Sequence, residues 1–526
     1  MTIRALFSRF LALATAALAA TTALSAPTAL AADPLASAAR AKPNVVVILA
    51  DDLGYGDVQC YNPTRGKIPT PHMDRLARAG MRFTDAHSSS GVCSPSRYTL
   101  LTGRYHWRSR LQSGIVNPWE RPLIAPDRLT IGSLAQQQGY HTAAIGKWHL
   151  GWDWPITPEQ KPFLVGLGGR TGRSSDPLVT VPSAAHRAAW GAIFRQPIAG
   201  GPTTRGFHHY FGTDVPNWPP YAFIRDDRAV GVPTELLTAE HMAGFQASFQ
   251  GPALPNWRFD EVLAALGDRA VAYVQERARL AEPFLLYLPL TTPHTPISPS
   301  AAWRGRSGLN DYADLVMETD AVVGRVLAAL AAAGVEKNTL VLLASDNGYE
   351  STIGVKPLEA MGHFPSGPLR GYKASYWEGG HRAPFIVRWP GEVKPGTVCD
   401  QLVHHADLLA TLAEEWGARL PAEAGEDSHS LLPVLRGGQT PVRRHAISCS
   451  ASGVQTVRDG AWKLICTTVP QLFNLAEDLG EQYDLAASEP ERVQAMLAVR
   501  ERLIADGRST PGIPQKNDVP VKRIGG

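Results

Sequence analysis

Five cysteines in 526 residues are too few for a disulfide scaffold, and their odd number leaves at least one thiol without a partner inside the chain. Neither sign of charge dominates. Fifty-one basic side chains face 48 acidic ones, a net +3, which excludes the broad basic footprint of a nucleic-acid binder and a polybasic membrane patch. Any affinity for anions must therefore be local. Beyond the first thirty residues no apolar run approaches the roughly 20 residues a membrane span needs, and no internal repeat argues for a solenoid. Glycine (48) and proline (42) are plentiful on a background that is 44% hydrophobic and 19% charged, the composition of a globular protein with many loops. One large core with a smaller appended unit is expected at this length, because single cores stop growing near ~250–300 residues.

The chain opens with Arg4 and Arg9 ahead of an apolar Ala/Leu run from Phe10 to Ala20, then small residues up to Ala29-Leu30-Ala31. That order reads as a signal peptide over residues 1–31, and the two arginines are not adjacent, which favours general secretion over a twin-arginine route. A first membrane helix is the competing reading, but the run is short and diluted by Thr and Ser. Export to the periplasm or outside the cell is the expectation.

From Asn44 to Ala50 the chain is continuously apolar and β-branched, as in a strand buried on both faces, and it ends in Asp51-Asp52. Two further runs behave alike: 283–290 ends near Pro293-His294, and 339–344 ends at Ser345-Asp346-Asn347-Gly348. Polar clusters past strand carboxyl ends mark the ligand-binding edge of an open α/β sheet. Helices are expected between the strands, over 73–79, 131–138, 259–280 and 312–333, three of them closed by a glycine. From Trp152 to Asn256 periodicity dissolves into Pro, Gly, Trp and Arg, which reads as long inserted loops in which selectivity would reside. Tryptophans there, Trp152, Trp154, Trp190 and Trp218, suggest sugar stacking, although core packing explains most tryptophans equally well. Past Arg436 short alternating segments over 446–450, 454–458 and 462–466 precede a helix over 490–504. The domains expected are a catalytic unit, 42–435, and a C-terminal α+β unit of antiparallel sheet plus helix, 436–526. Cys449 and Cys466 flank a hairpin-like segment there, the one pair for which a bridge suggests itself.

Cys93-Ser94-Pro95-Ser96-Arg97, running on through Leu100-Leu101-Thr102-Gly103-Arg104, is the most informative stretch. A lone cysteine is usually a small buried hydrophobe, but this segment resembles the type I sulfatase signature, in which the cysteine of Cys-x-Pro-x-Arg is oxidised to formylglycine. Gly139-Tyr140-His141-Thr142-Ala143-Ala144-Ile145-Gly146-Lys147-Trp148-His149 resembles the same family's second signature. The resemblance extends through Asp51-Asp52, Pro293-His294-Thr295-Pro296, Ser345–Gly348, Leu369–Lys373 and Trp377–Gly380 to about Leu485. One departure is Gly206-Phe207-His208, with His208 where relatives often carry aspartate at a substrate contact.

That resemblance implies an alkaline-phosphatase-like large mixed sheet flanked by helices, and hydrolysis of aryl or carbohydrate sulfate monoesters. A thiol displaces sulfur at a sulfate ester poorly, whereas a hydrated aldehyde offers one hydroxyl to attack and another to expel the product. By resemblance Asp51, Asp52, Asp346, Asn347 and the oxygen of residue 93 hold one divalent cation. The all-oxygen donor set suits calcium, or magnesium, and disfavours zinc. Singly, either acidic cluster would more often be a plain strand end or turn. Lys147, Lys373 and His294 are implied at the sulfate, Arg97 beside the hydrate, and His149 as the group that takes its proton; His294 would help protonate the leaving oxygen. The projected reach of Lys147 and His149 to one face assumes an extended segment. His72, His87, His363 and His381 take the structural default, and His404 and His405 are expected in capping or core contacts. A formylglycine-generating enzyme is the implied maturation partner. The rival readings are a formylglycine-using phosphonate monoester or phosphodiester hydrolase and, from another class, a non-catalytic sulfated-glycan-binding protein.

Overall fold

The computed structural model describes residues 42–165, 167, 179–238 and 249–523; the signal-peptide segment, 1–31, lies outside them. Among these residues a ten-stranded mixed sheet forms the centre. Its order is Thr397–Cys399, Met81–Phe83, Phe385–Arg388, Thr339–Ser345, Asn44–Ala50, Phe284–Pro289, His141–Lys147, His209–Thr213, Ile224–Arg225, Arg228–Ala229. The five strands from Thr339–Ser345 to His209–Thr213 run parallel, so their carboxyl ends share one edge.

Alternation along the central strand explains its unbroken apolarity. Val45, Val47 and Leu49 enter one core with Leu285, Tyr287 and Leu342, and Val46 and Ile48 enter the other with Leu286 and Leu343. The second core is roofed by Pro71–Arg78, Val262–Arg277 and Asp311–Ala332; the first by Cys93–Thr102, Ile131–Gln137 and Leu408–Glu415. The expected helices and strands are all present, with bounds shifted by a few residues. Cys93–Thr102 carries no amphipathic stripe, because all ten of its residues are buried.

The described residues between 152 and 256 are more ordered than the composition suggests. They include the helix Ala184–Phe194 and the strand His209–Thr213, which extends the main sheet. Their tryptophans are mostly packing: Trp152, Trp190 and Trp218 are buried, and Trp154 is half-buried against Trp119 and Phe194.

Four antiparallel strands, His445–Cys449, Gln455–Asp459, Trp462–Ile465 and Gln471–Asn474, form the C-terminal sheet, and Pro490–Ala505 packs on it through Val493, Met496 and Leu503. Cys449 and Cys466 are not bridged. They flank Gln455 from opposite sides, Cys449 as its strand partner and Cys466 by donating its N–H to the Gln455 carbonyl, and all five cysteines are free.

Candidate active site

Asp51 and Asp52 leave Asn44–Ala50, Lys147 ends His141–Lys147, and Asp346 and Asn347 follow Thr339–Ser345, so three strands of the parallel set, with Phe284–Pro289 between the first two, deliver all five to one edge. Gly146 and Gly348 allow this convergence. A Cβ on Gly146, whose φ is +136°, would lie 1.8 Å from the Pro289 carbonyl oxygen, and one on Gly348 would lie 1.8 Å from that of Gly379. Cys93 opens the helix Cys93–Thr102, placing the positive end of the helix dipole at residue 93. Ligand atoms of Asp51, Asp52, Cys93 and His294 all lie within 4.8 Å of one another.

Three cations interlock with three carboxylates. Lys147 Nζ donates to both Asp51 oxygens at 2.9 and 2.7 Å. Arg97 donates to Asp346 Oδ2 through Nε (3.0 Å) and a terminal nitrogen (2.8 Å), which also lies 3.2 Å from Asp51. Lys373 Nζ donates to Asp52 Oδ2 at 2.7 Å. Burial raises the Asp51 carboxyl, but Lys147, His294 and Arg97 outweigh it and hold the group well below the usual carboxylate range. Burial wins at the other two: Asp52 is pushed up to about 6 against the pull of Lys373, and Asp346 to about 6 against Arg97. The Cys93 thiol is pushed up to about 11 by burial, so as a thiol it stays protonated and a poor nucleophile.

His294 and His149 are both neutral here, held down first by burial. The former falls to about 3 and the latter well below its ordinary value, with Lys147 and Arg97 adding repulsion at His149. His294 Nδ1 donates to the Thr295 carbonyl at 2.6 Å, leaving Nε2 3.7 Å from Asp52. His149 Nε2 donates to the Val116 carbonyl at 3.0 Å, and its buried Nδ1 has no hydrogen-bond partner among the described residues. His149 and Lys147 do not share an extended segment: the strand stops at Lys147, and His149 adopts a left-handed φ of 55°. Left-handed φ recurs at Asp52 (65°) and at Ala374 (72°), beside Lys373, so backbone strain collects around this pocket.

The structure thus brings together Cys93, Arg97, Lys147, His149, His294, Lys373, Asp51, Asp52, Asp346 and Asn347. His208 is elsewhere. It sits at the opposite edge of the sheet, accepting the Thr142 N–H and stacked on His141. The structural histidines behave as expected: His363 bonds Asp57, and His404 accepts the Ala406 N–H. Missed in the sequence were Asp214, which accepts the His149 N–H at 3.1 Å, and Glu350, 3.5 Å from Lys373; Trp218, read there as a sugar platform, abuts the His149 ring. Only Glu350 had a local signal, its place two residues after the Ser345–Gly348 motif.

Comparison with known proteins decides the family. A family model described as Sulfatase matches residues 43–418. The chain belongs to the sulfatase family. This sulfatase is 29% identical over 491 residues to an N-acetylgalactosamine-6-O-sulfatase of Bacteroides thetaiotaomicron, covering 86% of this chain and 92% of that protein. It is 31% identical over 512 residues to arylsulfatase A of Bos taurus, covering 87% of each. Among solved structures, one from a study of glycosaminoglycan metabolism by B. thetaiotaomicron superposes with a TM-score of 0.73 at 26% identity, covering 88% of this chain and 99% of that one. The protein is therefore a sulfuric ester hydrolase, acting on sulfate esters.

A metal ion is implied by the family, and the residues of this sulfatase fit one. Asn347 donates through Nδ2 to Asp52 at 2.7 Å, while its buried Oδ1 has no partner among the described residues, an acceptor awaiting a donor or cation. Two carboxylates displaced toward neutrality would both be held ionised by a cation between them. Among the described residues no helix is long and apolar enough to cross a membrane.

Proposed function

We propose that this sulfatase works through formylglycine at position 93 with one calcium ion, hydrolysing aryl or carbohydrate sulfate monoesters to alcohol and sulfate. The observation that carries this reading is the convergence of Asp51, Asp52, Cys93 and His294 within 4.8 Å, walled by Lys147 and Lys373. Cys93 Sγ stands where the hydrated aldehyde would present two hydroxyls, one to attack sulfur and one to expel sulfate by carbon–oxygen cleavage. Asp51, Asp52, Asp346 and Asn347 would hold the cation, magnesium being the alternative to calcium, and it would polarise a sulfate oxygen and residue 93. Lys147, Lys373 and the Nε2 of His294 face the sulfate oxygens; Arg97, through its grip on Asp346 and Asp51, braces the floor beneath them. His294, whose Nδ1–H is committed to the Thr295 carbonyl, would protonate the leaving oxygen from Nε2 after that nitrogen has taken up a proton from solvent beside the bound anion. His149, with Nε2–H committed to the Val116 carbonyl, presents Nδ1 as the acceptor for the proton lost from residue 93. Export through residues 1–31, maturation by a formylglycine-generating enzyme, and a division into catalytic (42–435) and C-terminal (436–526) domains belong to the same reading.

The names of the similar proteins support both aryl and carbohydrate sulfates as substrate classes. Turnover of 4-nitrophenyl sulfate against its phosphate and phosphonate analogues tests the reaction class, on protein with verified modification at residue 93. Sulfate is expected to be the preferred ester; negligible sulfate turnover beside strong phosphoester turnover would overturn it.

A further inference from the structure

Glu350 stands on the solvent side of this pocket and belongs neither to the cation ligands nor to the sulfate contacts. Its carboxylate lies 3.5 Å from Lys373 Nζ, and the same ammonium lies 2.7 Å from Asp52. Side-chain exposure orders the three, 0% for Asp52, 11% for Lys373 and 21% for Glu350, so Lys373 reaches from the floor to the mouth and Glu350 meets it there. Two contacts fix the arrangement: the Glu350 carboxylate accepts the Thr352 N–H at 3.0 Å, and the Lys373 N–H donates to the Tyr349 carbonyl at 2.9 Å. Burial raises the Glu350 carboxyl, but Lys373 and the Thr352 N–H more than offset it, which keeps the group ionised.

The charges then count as follows. Arg97, Lys147 and Lys373 balance Asp51, Asp52 and Asp346, and Glu350 adds a fourth carboxylate. Glu350 is thus a carboxylate in excess of the three interlocked ion pairs, and it places negative charge beside Lys373 at the mouth of the pocket. A sulfate monoester brings one negative charge; a phosphate monoester brings nearly two above its second ionisation near ~6. We propose that Glu350 is a specificity residue, which sets the charge of the pocket for a monoanionic ester and disfavours dianionic phosphate monoesters. This rests on the sulfatase reading of the site, and it adds a reason for that preference.

The test compares wild type, Glu350→Gln and Glu350→Asp, matched for melting temperature and for modification at residue 93, at about pH 8.5, above the second phosphate ionisation. The substrates share one leaving group: 4-nitrophenyl sulfate and 4-nitrophenyl methylphosphonate, both monoanions, and 4-nitrophenyl phosphate, a dianion. Glu350→Gln is expected to raise the phosphate-to-sulfate ratio of kcat/KM about tenfold, as removal of a nearby like charge requires. The methylphosphonate-to-sulfate ratio should stay the same, and Glu350→Asp should keep the wild-type ratios. An unchanged phosphate-to-sulfate ratio, or an equal rise for methylphosphonate, overturns the proposal. A wild type with no sulfate turnover would instead sink the sulfatase reading. The charge claim is then read by calorimetry with phenylmethanesulfonate and phenylmethanephosphonate: Glu350→Gln should tighten the phosphonate about tenfold relative to the sulfonate, and equal changes in both would overturn it.

Discussion

Lys147 and Arg97 are buried against carboxylates, Lys147 on Asp51 and Arg97 on Asp346 and Asp51, so each serves both the binding of the anion and the integrity of the pocket. Lys147→Ala is expected to lower kcat on an aryl sulfate about a hundredfold, ~3 kcal/mol of lost transition-state stabilisation, and to lower the melting temperature because Asp51 loses its closest cation. Steady-state kinetics and thermal melts read the two effects separately. At the cation, chelation should abolish turnover and calcium should restore it, with Asp346→Ala failing to recover; full activity in that variant would contradict its assignment as a ligand. Most of these residues were legible in the sequence because they lie in short motifs at strand ends, where position along the chain determines position in the pocket. Asp214 and Val116 were not. They reach His149 from a strand edge and from loops whose placement depends on tertiary packing.

The C-terminal sheet does more than append itself to the large one. Cys449 donates its N–H to the Ser89 carbonyl and accepts that of Gly91, and Ala374 donates to the Gly91 carbonyl, so the edge strand His445–Cys449 clamps the turn leading into Cys93 and the residue after Lys373. The same interface buries a network of charges. Lys463, from Trp462–Ile465, lies 3.0 Å from Glu378 and 2.7 Å from Glu481, all inaccessible to solvent. Lys463→Ala should therefore cost about 3–5 kcal/mol, the usual consequence of stranding buried carboxylates, and denaturant unfolding measures it; a change under 1 kcal/mol would show the network to be dispensable. The small sheet and its helix were readable from alternation and turn residues. Their bracing of residue 93 was not, because contacts between residues some 360 positions apart carry no local signature. The strand His209–Thr213 escaped notice for a related reason: five residues beginning with three aromatic rings among glycines lack a clear period.

Across the whole molecule, buried uncharged histidines link fold stability to pH. His106 and His405 are both held near 3 by burial, with an ordinary value of 6.5, and His405 has no hydrogen-bond partner at either ring nitrogen among the described residues. Between pH 6.5 and about 3 the unfolded chain binds protons at these positions that the folded chain does not. Stability should thus fall as pH drops through that window, each histidine contributing up to ~1.4 kcal/mol per pH unit. Denaturant titrations at stepped pH should show a shallower slope in His405→Phe than in the parent; identical slopes would exclude this residue as a source. The parallel core, its helical layers and the edge bearing the chemistry were all apparent in the sequence, since apolar strands ending in acidic pairs are a local pattern. The order of strands was not, because it follows from packing across the whole sheet. The proposed chemistry depends above all on the side chain at position 93, and the most direct measurement combines mass spectrometry of the tryptic peptide Phe83–Arg97 with 4-nitrophenyl sulfate turnover, in preparations made with and without a formylglycine-generating enzyme. Turnover proportional to the fraction of peptide in which oxygen has replaced sulfur, and absent in Cys93→Ala, is the predicted result; equal turnover from protein whose Cys93 thiol is unmodified would contradict it.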